Sequence, residues 1–157
     1  MSVSFLARDV VDWTGGELLQ GEESVRFDGV SIDSRTIAPG QLFVAIQGPT
    51  HDGHLFLEGA LSAGAAGLLV ERGRPLSDAA RTAPLVIAVD DTTRSLGALA
   101  AGHRRGFEGP LVAITGSNGK STTKEMCAAI LSESGSCLKN RGNLNNEFGL
   151  PPVSYTH

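Results

Sequence analysis

The chain has 157 residues, enough for one ordinary domain, with 41% hydrophobic residues and a formal net charge of −4. That balance excludes a general nucleic-acid binder, which would carry a basic face, but leaves a nucleotide site open, since such a site needs only local donors. No apolar stretch reaches the roughly 20 residues of a bilayer span, and the N-terminus lacks a basic n-region, an apolar h-region and a cleavage site, so a cytoplasmic monomer with no membrane insertion is expected.

The first element expected is a helix from Ser4 to Thr14, capped by Ser4 and stopped by Gly15-Gly16. Leu6, Val10 and Trp13 share one face of it. Strands follow at Glu17 to Gln20, Val25 to Phe27, Val30 to Ser34 and Leu42 to Ile46. The run Leu42-Phe43-Val44-Ala45-Ile46 does not alternate, which predicts a strand buried on both faces. From His54 to Ala63 the period becomes helical, with Phe56, Leu57, Ala60, Leu61 and Ala63 in one stripe and Gly64 as the stop. Strands Gly67 to Glu71 and Leu85 to Val89 flank a segment, Arg72 to Ala83, whose Gly, prolines and charges read as a surface loop. A helix from Thr92 to Arg105 has Asp91 as its N-cap and Leu96, Leu99, Ala100 and His103 inside. Gly109-Pro110 then marks a boundary.

The fold class is therefore α/β, in two parts. Residues 1–109 form a mixed-sheet domain, and 110–157 begin a second one. The second part offers strand Leu111 to Ile114, a helix from Lys120 to Ser134 and a strand from Ser136 to Lys139. One such βαβ unit cannot cover both faces of a parallel sheet, so the chain is expected to be an N-terminal fragment. Cys127 and Cys137 match no metal spacing, and with no secretory signal both are expected as free thiols.

Between that strand and helix lies Thr115-Gly116-Ser117-Asn118-Gly119-Lys120-Ser121-Thr122-Thr123-Lys124. A glycine-rich turn at a helix N-terminus lets backbone N–H groups and the positive helix end meet anionic oxygens. Gly116, Ser117, Asn118 and Gly119 form the cradle, Lys120 reaches the terminal phosphates, Ser121 gives an oxygen to Mg²⁺, and Thr122 helps cap the helix. The spacing is not that of the standard Walker loop, whose first glycine would fall at Ile114. A βα turn of small residues that happens to end in Lys-Ser is the structural alternative.

The short loop resembles that of the Mur ligases of bacterial peptidoglycan synthesis, Thr-Gly-x-x-Gly-Lys-Thr/Ser. Three further stretches share the resemblance: Gly142-Asn143-Leu144-Asn145-Asn146-Glu147-Phe148-Gly149-Leu150-Pro151, Lys124-Glu125-Met126, and the group Ser31-Ile32-Asp33-Ser34-Arg35, Pro39-Gly40-Gln41-Leu42-Phe43-Val44-Ala45 and Asp52-Gly53-His54. The likeness runs from about residue 15 to Pro151. After Pro151 the chain departs from the family's apolar helix and reads Pro152-Val153-Ser154-Tyr155-Thr156-His157.

The resemblance implies a uridine-nucleotide domain followed by the opening of an ATP domain. Its cofactors are ATP and Mg²⁺. Its partners are UDP-N-acetylmuramoyl-tripeptide, whose terminal carboxylate becomes an acyl phosphate, and D-alanyl-D-alanine, whose amine then attacks. Lys120 is the implied catalytic contact to the β- and γ-phosphates and Ser121 the metal ligand. Ser31, Ser34 and Arg35 are candidates for uracil or diphosphate, although Asp33 and Arg35 pairing at a strand end is the alternative. Asn143, Asn145 and Asn146 can present amides to a polar substrate, or form a turn. His51 and His54, with Gly53 between them, make no convincing metal pair, and His54 is expected to orient the loop or the nucleotide. A non-enzymatic nucleotide-binding module with a vestigial loop, and the sibling ligase that adds a diamino acid, are the alternative functions.

Overall fold

The computed structural model describes residues 4–106, 109–137 and 139. The elements run β1 (Phe5–Leu6), α1 (Ala7–Thr14), β2 (Glu17–Gln20), β3 (Arg26–Phe27), β4 (Val30–Ser31), β5 (Leu42–Val44), a 3-10 turn (Gly53–Phe56), α2 (Leu57–Ser62), β6 (Gly67–Glu71), α3 (Asp78–Arg81), β7 (Val86–Val89), α4 (Thr92–Arg105) and α5 (Lys120–Ser132). Five strands form a mixed sheet in the order β2-β7-β6-β5-β4. β4, β5, β6 and β7 are parallel and β2 is antiparallel to β7. β1 and β3 form a separate antiparallel pair.

The sheet is the middle of three layers. Successive residues of a strand point to opposite faces, and here both faces are covered. Leu42, Val44, Leu69, Ile87 and Val89 pack with Ala7 and Val10 of α1 and Leu96 and Leu99 of α4. Phe43, Leu68, Val70, Val86 and Ala88 pack with Leu57 and Ala60 of α2 and Ala80 of α3. The unalternating pattern of β5 has this cause, and Leu42, Phe43 and Val44 are at most 1% exposed.

Several boundaries differ from expectation, each for a local reason. Ser4 does not cap α1: Phe5 and Leu6 pair with β3, and the Asp9 carboxylate accepts from the Leu6 N–H at 2.7 Å, so the helix starts at Ala7. β4 ends at Ser31 because the Ser31 hydroxyl engages the Asp33 backbone, accepting from its N–H at 3.2 Å and donating to its carbonyl at 3.1 Å. Phe56 leaves the apolar stripe of α2. The chain enters that helix through a 3-10 turn, whose tighter pitch rotates Phe56 outward to 44% exposure. Ala63 is exposed as well. The segment expected as a surface loop contains α3, which buries Ala80, and the buried Ala83 follows it.

In the second part, the helix of the expected βαβ unit is present as α5. Its flanking strands are not formed among the described residues, and Leu138 of the second lies outside them. Leu111 to Ile114 takes no strand pairing, with Leu111 and Val112 exposed at 69% and 59%, and Ser136 and Cys137 are likewise outside any strand. A strand exists through its hydrogen-bonded neighbour, and no described residue pairs with these segments.

Candidate functional site

Two groups of candidate residues occupy two places in the fold. The first is the turn before α5. Gly116 and Gly119 have φ of +149° and +76°, backbone conformations that glycine reaches without a β-carbon clash. A β-carbon on either would meet nothing closer than 3.8 Å, so the approach to the turn's backbone is open. Gly119 is the N-cap of α5 and, having no side chain, makes no side-chain cap. The Lys120 ammonium folds back to donate to the Gly116 carbonyl at 2.5 Å, which holds the charge over the turn. Ser117, Asn118, Ser121 and Thr122 are exposed around it. One turn further along, Lys139 and Lys124 flank Glu125, and the Lys139 hydrogen bond holds its carboxyl below the ordinary range.

This arrangement suits an anion bearing several oxygens. A helix N-terminus offers N–H groups and a positive dipole end, and the lysine adds a mobile unit charge. The open glycine backbone lets oxygens approach that N–H array closely. For a divalent metal the turn offers the Ser121 hydroxyl. No group of three or more His, Cys, Asp or Glu side chains clusters for a metal among the described residues.

The second group lies at the C-terminal edge of the parallel strands, the edge where open α/β sheets bind ligands. Ser31 ends β4, and Ser34 follows in the turn, 4.0 Å from where a β-carbon on Gly59 of α2 would stand. Arg35 forms a two-pronged pair with Asp33, Nε to Oδ1 at 2.9 Å and Nη2 to Oδ2 at 2.7 Å, and its backbone N–H adds a third bond at 3.0 Å. The Arg35 guanidinium lowers the Asp33 carboxyl to about 2, its backbone N–H adding to the effect. The strand-end pairing weighed in the sequence is therefore formed, while the guanidinium stays 85% exposed.

His54 turns inward. Its side chain is 9% exposed; Nδ1 bonds Asp52 Oδ1 at 2.7 Å and Nε2 accepts the Glu71 backbone N–H at 3.0 Å. Both ring nitrogens are engaged within the protein and tie the loop to the end of β6. Asn143, Asn145 and Asn146 lie outside the described residues.

Arg74 belongs to this edge and was not expected there. It donates through Nη1 to Asp52 Oδ2 at 2.6 Å, through Nε to Glu71 Oε2 at 3.0 Å, and through Nη2 to Gln47 Oε1. Burial alone raises the Asp52 carboxyl; the backbone N–H and ring of His54, with the Arg74 charge, outweigh it and hold the group below its ordinary range. No local pattern marks Arg74, because it stands between Gly73 and Pro75 in a segment whose composition reads as loop.

A family model described as Mur ligase family, catalytic domain, matches residues 26–104, and one described as Mur ligase middle domain matches residues 114–156. The chain is similar to the UDP-N-acetylmuramoyl-tripeptide–D-alanyl-D-alanine ligase of Escherichia coli strain K12, at 42% identity over 149 residues, 95% of this chain and 31% of that protein. It is similar in structure to MurF from Acinetobacter baumannii, with a TM-score of 0.85 and 31% identity over 100% of this chain and 34% of that one. MurF from Thermotoga maritima, solved in complex with ADP, superposes with a TM-score of 0.68 at 34% identity, covering 82% of this chain and 29% of that one. The chain thus spans about a third of the length of the relatives it matches.

Proposed function

The chain belongs to the Mur ligase family, and from that premise we propose that it serves ATP-dependent amide-bond formation in peptidoglycan precursor synthesis, in the cytoplasm. Residues 1–109 bind the UDP-N-acetylmuramoyl-tripeptide and 110–157 open the ATP-binding domain. The two family models leave residues 105–113 between them, which supports that division. The incoming amine is that of D-alanyl-D-alanine, in keeping with the names of the relatives.

A carboxylate is a poor electrophile because its leaving group would be oxide. ATP supplies the phosphoryl group that turns that oxygen into a good leaving group. The protein's contribution is to position reactants and stabilise charge. Lys120 and the N–H groups at the start of α5 hold the β- and γ-phosphates, and Ser121 gives an oxygen to the accompanying Mg²⁺. Ser31, Ser34 and Arg35 stand where a uridine diphosphate would meet the end of β4.

The observation that carries this reading is the turn itself: two glycines with positive φ, a helix N-terminus, and the Lys120 ammonium 2.5 Å from the Gly116 carbonyl. Calorimetry with Mg·ATP and, separately, with UDP-N-acetylmuramoyl-tripeptide tests it. The expected result is that Lys120→Ala abolishes ATP binding and leaves uridine-nucleotide binding intact. ATP affinity unchanged by Lys120→Ala would show that the turn is not the phosphate site.

A further inference from the structure

The segment between β5 and α2 is a narrow hairpin-like loop at the C-terminal edge of the sheet. Gly53 N–H bonds the Ile46 carbonyl and Gly48 N–H bonds the His51 carbonyl, both at 2.8 Å, with Gln47 bridged to Asp52. Gln47, Pro49, Thr50 and His51 are exposed along it. Left to itself, such a short loop has only these few backbone bonds to oppose its conformational entropy.

Arg74 supplies the missing restraint. One guanidinium nitrogen takes Gln47 on the outgoing limb of the loop, the second takes Asp52 on the returning limb, and Nε takes Glu71 at the end of β6. His54 fastens the same limb to the same strand by accepting the Glu71 N–H. The acceptors surround a planar fork from three sides. A lysine ammonium, a single charged point, cannot reproduce that geometry. Side-chain exposures of 24% for Asp52 and Glu71 and 29% for Arg74 put the bonds in a partly desolvated setting, where charge-assisted bonds hold best.

We propose that Arg74 is a positioning residue: it fixes the 47–52 loop beside the Ser31 to Arg35 turn so that the two together receive the nucleotide portion of the substrate. The proposal rests on the reading of residues 1–109 as the uridine-nucleotide domain. It assigns work to a residue that touches no reacting atom. Arg72, two residues earlier, serves as the contrast, because its partners Glu17 and Asp90 lie on β2 and just after β7 and not on the loop.

The test is calorimetric titration of the whole chain with UDP, run with thermal unfolding, for wild type, Arg74→Lys, Gln47→Ala and Arg72→Lys. Arg74→Lys is expected to weaken UDP binding at least about tenfold, the size of a lost charge-assisted bond, while its melting temperature stays within about 3 °C. Gln47→Ala, which removes one surface acceptor and leaves the core alone, is expected to weaken UDP binding by a smaller factor and to speed hydrogen exchange at the Gly48 amide. Arg72→Lys is expected to bind as wild type does. UDP affinity unchanged in folded Arg74→Lys, or in Gln47→Ala if the lysine variant does not fold, overturns the proposal and leaves the domain reading standing. A wild-type chain that does not bind UDP overturns the domain reading and this proposal together.

Discussion

The Trp13 indole lies flat against the backbone of Gly102, so close that a β-carbon at residue 102 would stand 2.2 Å from Trp13 Cδ2. Helices α1 and α4 meet at this contact, on the layer of the core that holds Val10, Leu96 and Leu99. The glycine is there because the ring needs its space. Gly102→Ala is expected to destabilise the fold by about 1–3 kcal/mol through overpacking, a cost only partly offset by the roughly 1 kcal/mol better helix propensity of alanine. Urea denaturation measures the loss, and the chain's single tryptophan reports the displaced ring by a shift in emission. Wild-type stability with an unshifted spectrum would show that the Trp13 ring is not packed against residue 102.

Thr92, fully buried at the first turn of α4, donates its hydroxyl to the Ala45 carbonyl at 2.8 Å just beyond the end of β5. Thr92→Val keeps the shape and removes the donor, which is expected to cost about 1–3 kcal/mol by leaving a buried carbonyl without it. Thr92→Ser keeps the bond and loses one methyl, for about 1 kcal/mol. Urea midpoints should fall in the order wild type, Ser, Val. The reverse order for the two variants would assign the site's importance to packing.

The Asp33–Arg35 pair predicts a pH effect with a definite sign. The carboxyl titrates at about 2 in the fold against an ordinary 3.8, lowered first by the Arg35 side chain. A depressed native value means the pair stabilises the fold above pH 3.8 and loses that contribution as pH falls toward 2. The stability difference between wild type and Asp33→Asn is therefore expected to be present at neutral pH and to shrink across that acid window. The difference stays small, because Arg35 is exposed and salt screens it. Carboxyl chemical shifts followed by NMR check the titration directly; an ordinary value for Asp33 would show that the pair is not formed in solution.

Gly119→Ala separates the turn's backbone from its lysine. An alanine at φ +76° costs about 1–2 kcal/mol in local conformation, and no neighbouring atom within 4 Å adds a clash. The variant is expected to fold, to show a shortened or frayed start to α5 by NMR, and to bind ATP more weakly. Full ATP affinity would place the phosphates away from the start of that helix.

Much of the fold was legible because it depends on neighbours in the chain. The unbroken apolar run of β5, the Asp91 cap whose carboxylate accepts from Arg94 N–H at 2.9 Å, and the start of α5 at Lys120 all follow from adjacent residues. The glycine turn before α5 was legible for the same reason, since it is built from consecutive residues. The start of α1 was not, because the Phe5 to Leu6 pairing with β3 competes for those residues.

What the sequence by itself determined is the set of local parts: which segments are apolar, where helices can begin, and which turn can cradle an anion. Only the tertiary structure decided that Phe43 and Val44 feed opposite layers of one sheet, that no described residue pairs with Leu111 to Ile114, and that His54 accepts the Glu71 backbone N–H. It also brought Arg74 to Asp52 and Gln47, residues whose distance along the chain gives no sign of contact. A strand needs its partner and a half-buried guanidinium needs its acceptors. Neither is a property of neighbouring residues, and both arise only when the chain has closed on itself.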